Sequence, residues 1–174
     1  MTANDSPLQS CLDLAYRYLG YRPRSEAEVR LYLRRRSFSG EIVARAIAEL
    51  KGQNLIDDRA FAEFWKNNRL SFKPRSSRLI RKELRDKGVA GEIIAEVTRG
   101  IDDEENAYKL GRSRMSSLAR RDYPDFQRRL TNYLGYRGFS YEVIRKTVAR
   151  LWEERGEASN PAGLGTHRRR QRCQ

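Results

Sequence analysis

The sequence predicts an all-α protein made of a triplicated helical module, and three observations carry that reading. First, "LRRRSFSGEIV" from Leu33, "LRDKGVAGEII" from Leu84 and "LGYRGFSYEVI" from Leu134 repeat one turn at offsets of 84 − 33 = 51 and 134 − 84 = 50 residues. Second, apolar residues fall in common columns at those offsets: Val29, Ile80 and Leu130; Leu33, Leu84 and Leu134; Ile42, Ile93 and Val143; Leu50, Ile101 and Leu151. Third, no apolar alternation marks a strand, and helix formers dominate.

The elements follow in order. A lone leading helix is expected in "LDLAYRYL", with Ala15 and Tyr16 on a helical pattern. Ser25 and Glu28 then form a capping box, in which the serine oxygen and the glutamate carboxylate each accept from an orphan backbone N–H. Val29 and Leu33, four apart, share the buried face of the helix so opened. Ser76 occupies the same place in the second copy. The third copy has Phe126 there, with Asp125 as the expected substitute cap.

Each of these helices must stop at Ser37, Gly88 or Gly138. That slot takes a left-handed conformation, free of Cβ penalty for glycine and strained for serine. Arg36, Lys87 and Arg137 precede it, where a cation suits the helix dipole. The second helix of each pair starts at once. Ser39 and Ser140 are N-caps, Glu41, Glu92 and Glu142 sit in the first turn, and Phe38–Val43, Val89–Ile94 and Phe139–Ile144 are placed as hydrophobic staples. A further helix follows each pair, in "DDRAFAEFW" and "EENAYKL", with extra residues near "GQNL" in the first connection. Pro74 and Pro124 mark linkers into the next copies.

The expected organisation is a segment 1–24 with the lone helix, repeats at 25–70, 75–119 and 124–155 (at least the helix pair in the last), and a disordered basic tail at 156–174. Units of about 50 residues have marginal cores alone. Stacking neighbours covers the remaining apolar faces, so an elongated, curved superhelical array of either hand is expected.

The chain has 174 residues and a net charge of +13, which points to acidic partners such as nucleic acid or a protein assembled on it. Glu and Asp are interspersed with Arg throughout, which suits folded helices. Cys11 and Cys173 lack CxxC spacing, so neither a zinc site nor a disulfide framework is expected. No apolar run approaches the roughly 18 residues that span a bilayer. "MTANDSPLQS" has no basic region leading into an apolar core, and a cytoplasmic location is the expectation.

Catalytic chemistry is not expected. His167 is the only histidine and lies in the tail, so a serine nucleophile has no base within the folded part. No phosphate-binding glycine motif is present. Asp57–Asp58 and Asp102–Asp103 open helices, where capping explains them better than a metal; no cofactor and no metal are expected.

The basic surface remains. Arg75, Arg78, Lys82 and Arg85 are spaced 3, 4 and 3, a stripe opposite Ile80 and Leu84, with Arg81 beside it and Glu83 and Asp86 as partial counter-charges. Arg34, Arg35 and Arg36 form a similar cluster one repeat earlier, and Arg128, Arg129 and Arg137 a third. An ordinary solvated helix face and a polyanion contact surface both fit such runs. Phe61, Phe64 and Trp65 are expected in the core. Tyr21 and Tyr136 sit near basic turns where bases can stack, but packing is the expectation for them too.

The run "SEAEVRLYLRRRSFSGEIVARAIAELKGQNLIDDRAFAEFW", with "SSRLIRKELRDKGVAGEIIAEV" after it, resembles the RecX family of bacterial recombination regulators. The resemblance rests on Ser25–Glu26, "LIDDRAFA" at Leu55–Ala62 and "RLIRKEL" with "KGV" within Arg78–Val89, and covers about residues 10–154. It implies three tandem three-helix repeats. It also implies binding along the groove of the RecA recombinase filament on single-stranded DNA, usually inhibiting strand exchange and coprotease activity, with possible contact to duplex DNA. A monomer with no membrane partner is expected. Ser37 in place of a glycine, "SFKP" at the entry to the second repeat, and the Arg-rich tail depart from the family pattern. The competing reading is a direct DNA-binding protein of helix-turn-helix type, turning at Gly88–Ala90.

Overall fold

The computed structural model describes residues 5–72 and 74–158. Ten helices occur among them: α1 (Asp5–Gly20), α2 (Glu26–Arg34), α3 (Gly40–Gly52), α4 (Asp58–Phe72), α5 (Ser77–Asp86), α6 (Gly91–Val97), α7 (Asp103–Arg112), α8 (Met115–Leu118), α9 (Tyr123–Tyr136) and α10 (Tyr141–Ala158). No strand occurs among the described residues. The tail expected at 156–174, with His167 and Cys173, lies almost entirely outside them.

The chain divides into two compact units, the first ending at Asp103 and the second beginning at Glu104. Within the first, α1, α2 and α3 close one core around Cys11, Ala15, Val29, Leu33, Val43 and Leu50. A second core in the same unit joins α4, α5 and α6 through Phe61, Ala62, Ile80, Leu84, Ile94 and Val97. In the second unit α7, α8, α9 and α10 pack around Ala107, Phe126, Leu130, Leu134, Ile144 and Leu151. Each helix pair thus shares its core with the helix that precedes it. Val29, Ile80 and Leu130, and Leu33, Leu84 and Leu134, are all 0% exposed, so the two inner columns of the repeat are the centres of the three cores. Truncating any of the leucines, or Ile80, to alanine removes about 2–5 kcal/mol.

The local signals act as the residues require. Ser25 Oγ accepts from the Glu28 N–H at 3.2 Å while the Glu28 carboxylate accepts from the Ser25 N–H at 3.3 Å. Ser76 accepts from Leu79, Ser39 from Ile42 and Ser140 from Val143. The three turn residues all have positive φ: Ser37 at 66°, Gly88 at 76° and Gly138 at 85°. The third copy differs from expectation at its start. Asp122, not Asp125, caps α9, accepting from the Asp125 N–H at 3.1 Å. Pro124 falls inside the first turn instead of in a linker, a position where its missing N–H costs nothing. Asp125 is thereby left inside the helix, free to collect arginines.

The two helix groups of the first unit are locked at one joint. Ser25 Oγ donates to the Lys87 carbonyl at 2.6 Å, and Lys87 Nζ donates to Glu28 Oε1 at 2.8 Å. Gly88 lies so close to α2 that a Cβ there would stand 2.4 Å from the Ala27 Cβ. A second bond comes from the "IDD" sequence after α3. Asp57 caps its own helix, accepting from the Arg59 and Ala60 N–H groups at 2.8 and 3.0 Å. Asp58 reaches back and accepts from the Glu26 N–H at 2.8 Å, closing the first turn of α2. Asp103 does the same for α5: its carboxylate accepts from the Ser77 N–H at 2.7 Å and from Ser77 Oγ at 2.9 Å.

Candidate nucleic-acid interface

The end of α2 and its turn carry Arg34, Arg35 and Arg36, all exposed. The Arg34 and Arg35 side chains make no ion pair among the described residues; the Arg36 guanidinium lies 5.1 Å from the Tyr32 ring. On α5 the expected stripe is thinned. Arg75 precedes the helix and its guanidinium is held by Glu83. Glu83 also accepts from Arg69 Nε and from Trp65 Nε1, each at 2.7 Å. Arg81 Nε donates to the Thr98 hydroxyl at 2.8 Å, and Lys82 pairs with Asp86 at 2.8 Å. Arg78 and Arg85 remain, exposed and without an ion pair among the described residues, two helical turns apart on one face. Arg34 and Arg85 occupy the same slot of successive repeats, since 85 − 34 = 51.

In the second unit Arg128 and Arg129 meet on one carboxylate. Asp125 binds Arg129 Nε at 2.8 Å, the Arg128 guanidinium, and Arg121 Nε at 3.5 Å. The hydrogen bond from Arg129, helped by that from Arg128, holds the Asp125 carboxyl below its ordinary pKa against the opposing desolvation. Three guanidiniums sharing one anion keep the start of α9 electropositive. Arg137 lies 5.3 Å from the Tyr133 ring, which Arg114 also covers at 4.5 Å. Arg114 has no place in the repeat pattern, and its role beside α9 was not legible in the sequence. With Arg128 and Arg129 it lines a groove of about 470 Å³ floored by Leu118, Leu130 and Tyr133.

The acidic pairs are committed to structure. Asp57 and Asp58 both accept backbone N–H groups. Burial pushes the Asp58 carboxyl above its ordinary value, only partly offset by the Glu26 N–H. Among the described residues no three His, Cys, Asp or Glu side chains are grouped to hold a metal ion. No helix among them is long and apolar enough to cross a membrane.

Two aromatic expectations are corrected. Tyr136 is 88% exposed and Tyr21 85% exposed, because each sits at a helix end or just past it, turned from its core. Phe64 is 39% exposed, since Phe61 and Ala62 take the inner face of α4.

Three family models match the chain in tandem: "RecX, first three-helix domain" at residues 11–50, the second three-helix domain at 57–97 and the third at 102–148. Two curated relatives are called regulatory protein RecX. That of Prosthecochloris aestuarii is 33% identical over 148 residues, covering 85% of this chain and 97% of its own. That of Chlorobaculum tepidum is 34% identical over 152 residues, covering 87% and 94%. The crystal structure of RecX from Lactobacillus salivarius superposes with a TM-score of 0.73 over 86% of this chain and 99% of its own, at 22% identity, a likeness of fold.

Proposed function

The chain belongs to the RecX family of regulatory proteins, and from that premise we propose that it binds the filament that a RecA-type recombinase forms on single-stranded DNA and restrains strand exchange and coprotease activity. The observation that carries the proposal is the set of exposed cations Arg34, Arg35, Arg78 and Arg85 in the first unit, which have no ion pair among the described residues. The stabilising ion pairs leave them out, so they are available to a polyanionic partner. Arg34 and Arg85 recur at the repeat period, matching a partner that itself repeats. Contacts from successive repeats act at high effective concentration, so individually weak ones sum to useful avidity. No catalytic step is required: occupancy of the filament is itself the regulatory event.

Replacing Arg34, Arg35, Arg78 and Arg85 by alanine tests this. Exposed positions of this kind change stability by about 0.5 kcal/mol or less each, so melting is expected to hold. Inhibition of strand exchange is expected to need a several-fold higher concentration of the variant, and binding is expected to lose part of its salt dependence. Full potency in the folded variant would remove these residues from the interface.

A further inference from the structure

We propose that the second unit carries its own site for single-stranded nucleic acid, in which Tyr136 and Tyr141 stack on unpaired bases while Arg114, Arg128 and Arg129 hold the backbone. Tyr136 and Tyr141 are 88% and 76% exposed and stand over an open groove of about 560 Å³ between the end of α9 and the start of α10. Asn132 lines both this groove and the arginine groove, so the aromatic and cationic surfaces are continuous. Tyr141 also borders a third groove, where Arg145 is exposed and has no ion pair among the described residues. Glu142, next to Tyr141 in the chain, is engaged by Lys146 at 3.4 Å.

Packing does not explain these tyrosines. At the repeat offsets, Tyr141 corresponds to Gly91 and Gly40, and Tyr136 to Asp86 and Arg35. A Cβ at Gly91 or Gly40 would meet nothing within 4 Å, so this position asks for no side chain in either of the other repeats. Arg145 likewise replaces Ala95 and Ala44. The third repeat therefore carries a ring and a cation where its siblings have glycine and alanine, and a second ring where they have the charged side chains of Asp86 and Arg35. Over residues 104–156 there are 12 Lys and Arg against 7 Asp and Glu, a net of +5. Rings at the edge of a cationic groove suit a strand whose bases are splayed and whose phosphates follow the arginines. A duplex hides the faces of its bases and offers nothing to stack. The site deepens the filament reading and rests on it for the presence of the strand, but it is tested without the recombinase.

The experiment is fluorescence anisotropy of the full chain with a labelled oligothymidylate and with an abasic oligonucleotide of the same length. The wild-type chain is expected to prefer the strand that has bases. Y136A/Y141A is expected to lower affinity for oligothymidylate about tenfold or more and leave abasic binding unchanged, while Y136F/Y141F keeps the preference. Equal wild-type affinity for both strands overturns the proposal, as does unchanged oligothymidylate binding by the alanine variant or equal loss in the phenylalanine variant. If Y136A/Y141A weakens filament binding alone, the groove holds protein: that outcome also overturns the proposal and leaves the filament reading standing.

Discussion

Replacing Gly88 by alanine probes the joint that makes one unit of the first two helix groups. Two costs apply. The residue sits at φ 76°, where an L side chain costs about 1–2 kcal/mol. The new Cβ would also stand 2.4 Å from the Ala27 Cβ, and both atoms are fixed to helix-end backbone, so α2 and the α5 turn must part. Overpacking of this kind costs about 1–3 kcal/mol, which brings the expected loss to about 2–5 kcal/mol. Gly100 is the internal control: its φ is 80°, but a Cβ there meets nothing within 4 Å, so G100A carries only the first cost. Urea unfolding of the full chain by circular dichroism is expected to rank wild type above G100A and G100A well above G88A. Removing the Ala27 methyl should restore part of the loss, so A27G/G88A is expected to be more stable than the sum of its single changes predicts. If G88A is no worse than G100A, or A27G gives no rescue, the contact between the helix groups is not tight and the locked joint is wrong.

Other expectations follow from the same geometry. S37G relieves the left-handed serine and is expected to raise stability by about 0.5–1 kcal/mol, read as a higher urea midpoint. Acid should weaken the first unit. Burial opposes the charge on Glu28, but hydrogen bonds from Arg22 and Lys87 outweigh it and hold its pKa below 4.5; bonds from Arg30 and Lys51 do the same for Glu26. Stability from these groups is complete above their unfolded pKa and lost as pH falls through the lower folded values, from about pH 5 towards pH 3. Asp58 has the opposite sign, its raised pKa giving a penalty that protonation relieves. E28Q is therefore expected to melt lower at neutral pH and to show a shallower acid loss, measured by thermal circular dichroism across that range.

The sequence made the helix pairs legible because their signals are local. Serine caps, the left-handed stop residue and the four-residue spacing of Val29 and Leu33 each act within a turn or two, and the repeat read them out three times. Asp58 and Asp103 were legible only as helix openers. Their bonds to Glu26 and Ser77 span 32 and 26 residues, and no local rule encodes such a reach. The thinning of the basic stripe has a similar cause. Spacing places Arg75 near Arg78, but only folding brings α4 alongside, so that Glu83 gathers Arg69, Arg75 and the Trp65 N–H. Tyr136 was misjudged because a large aromatic at a helix end faces the core or the solvent according to a rotation of a few tens of degrees. The Pro124 start of α9 was missed because proline reads equally as a linker and as a first-turn residue.

The most direct measurement is co-sedimentation of the chain with the recombinase of its own cell, with and without single-stranded DNA. The account predicts that the chain pellets with the assembled filament and stays in the supernatant with unassembled recombinase, with release as salt rises. A chain that stays in the supernatant with filament present, while still slowing strand exchange, would contradict it.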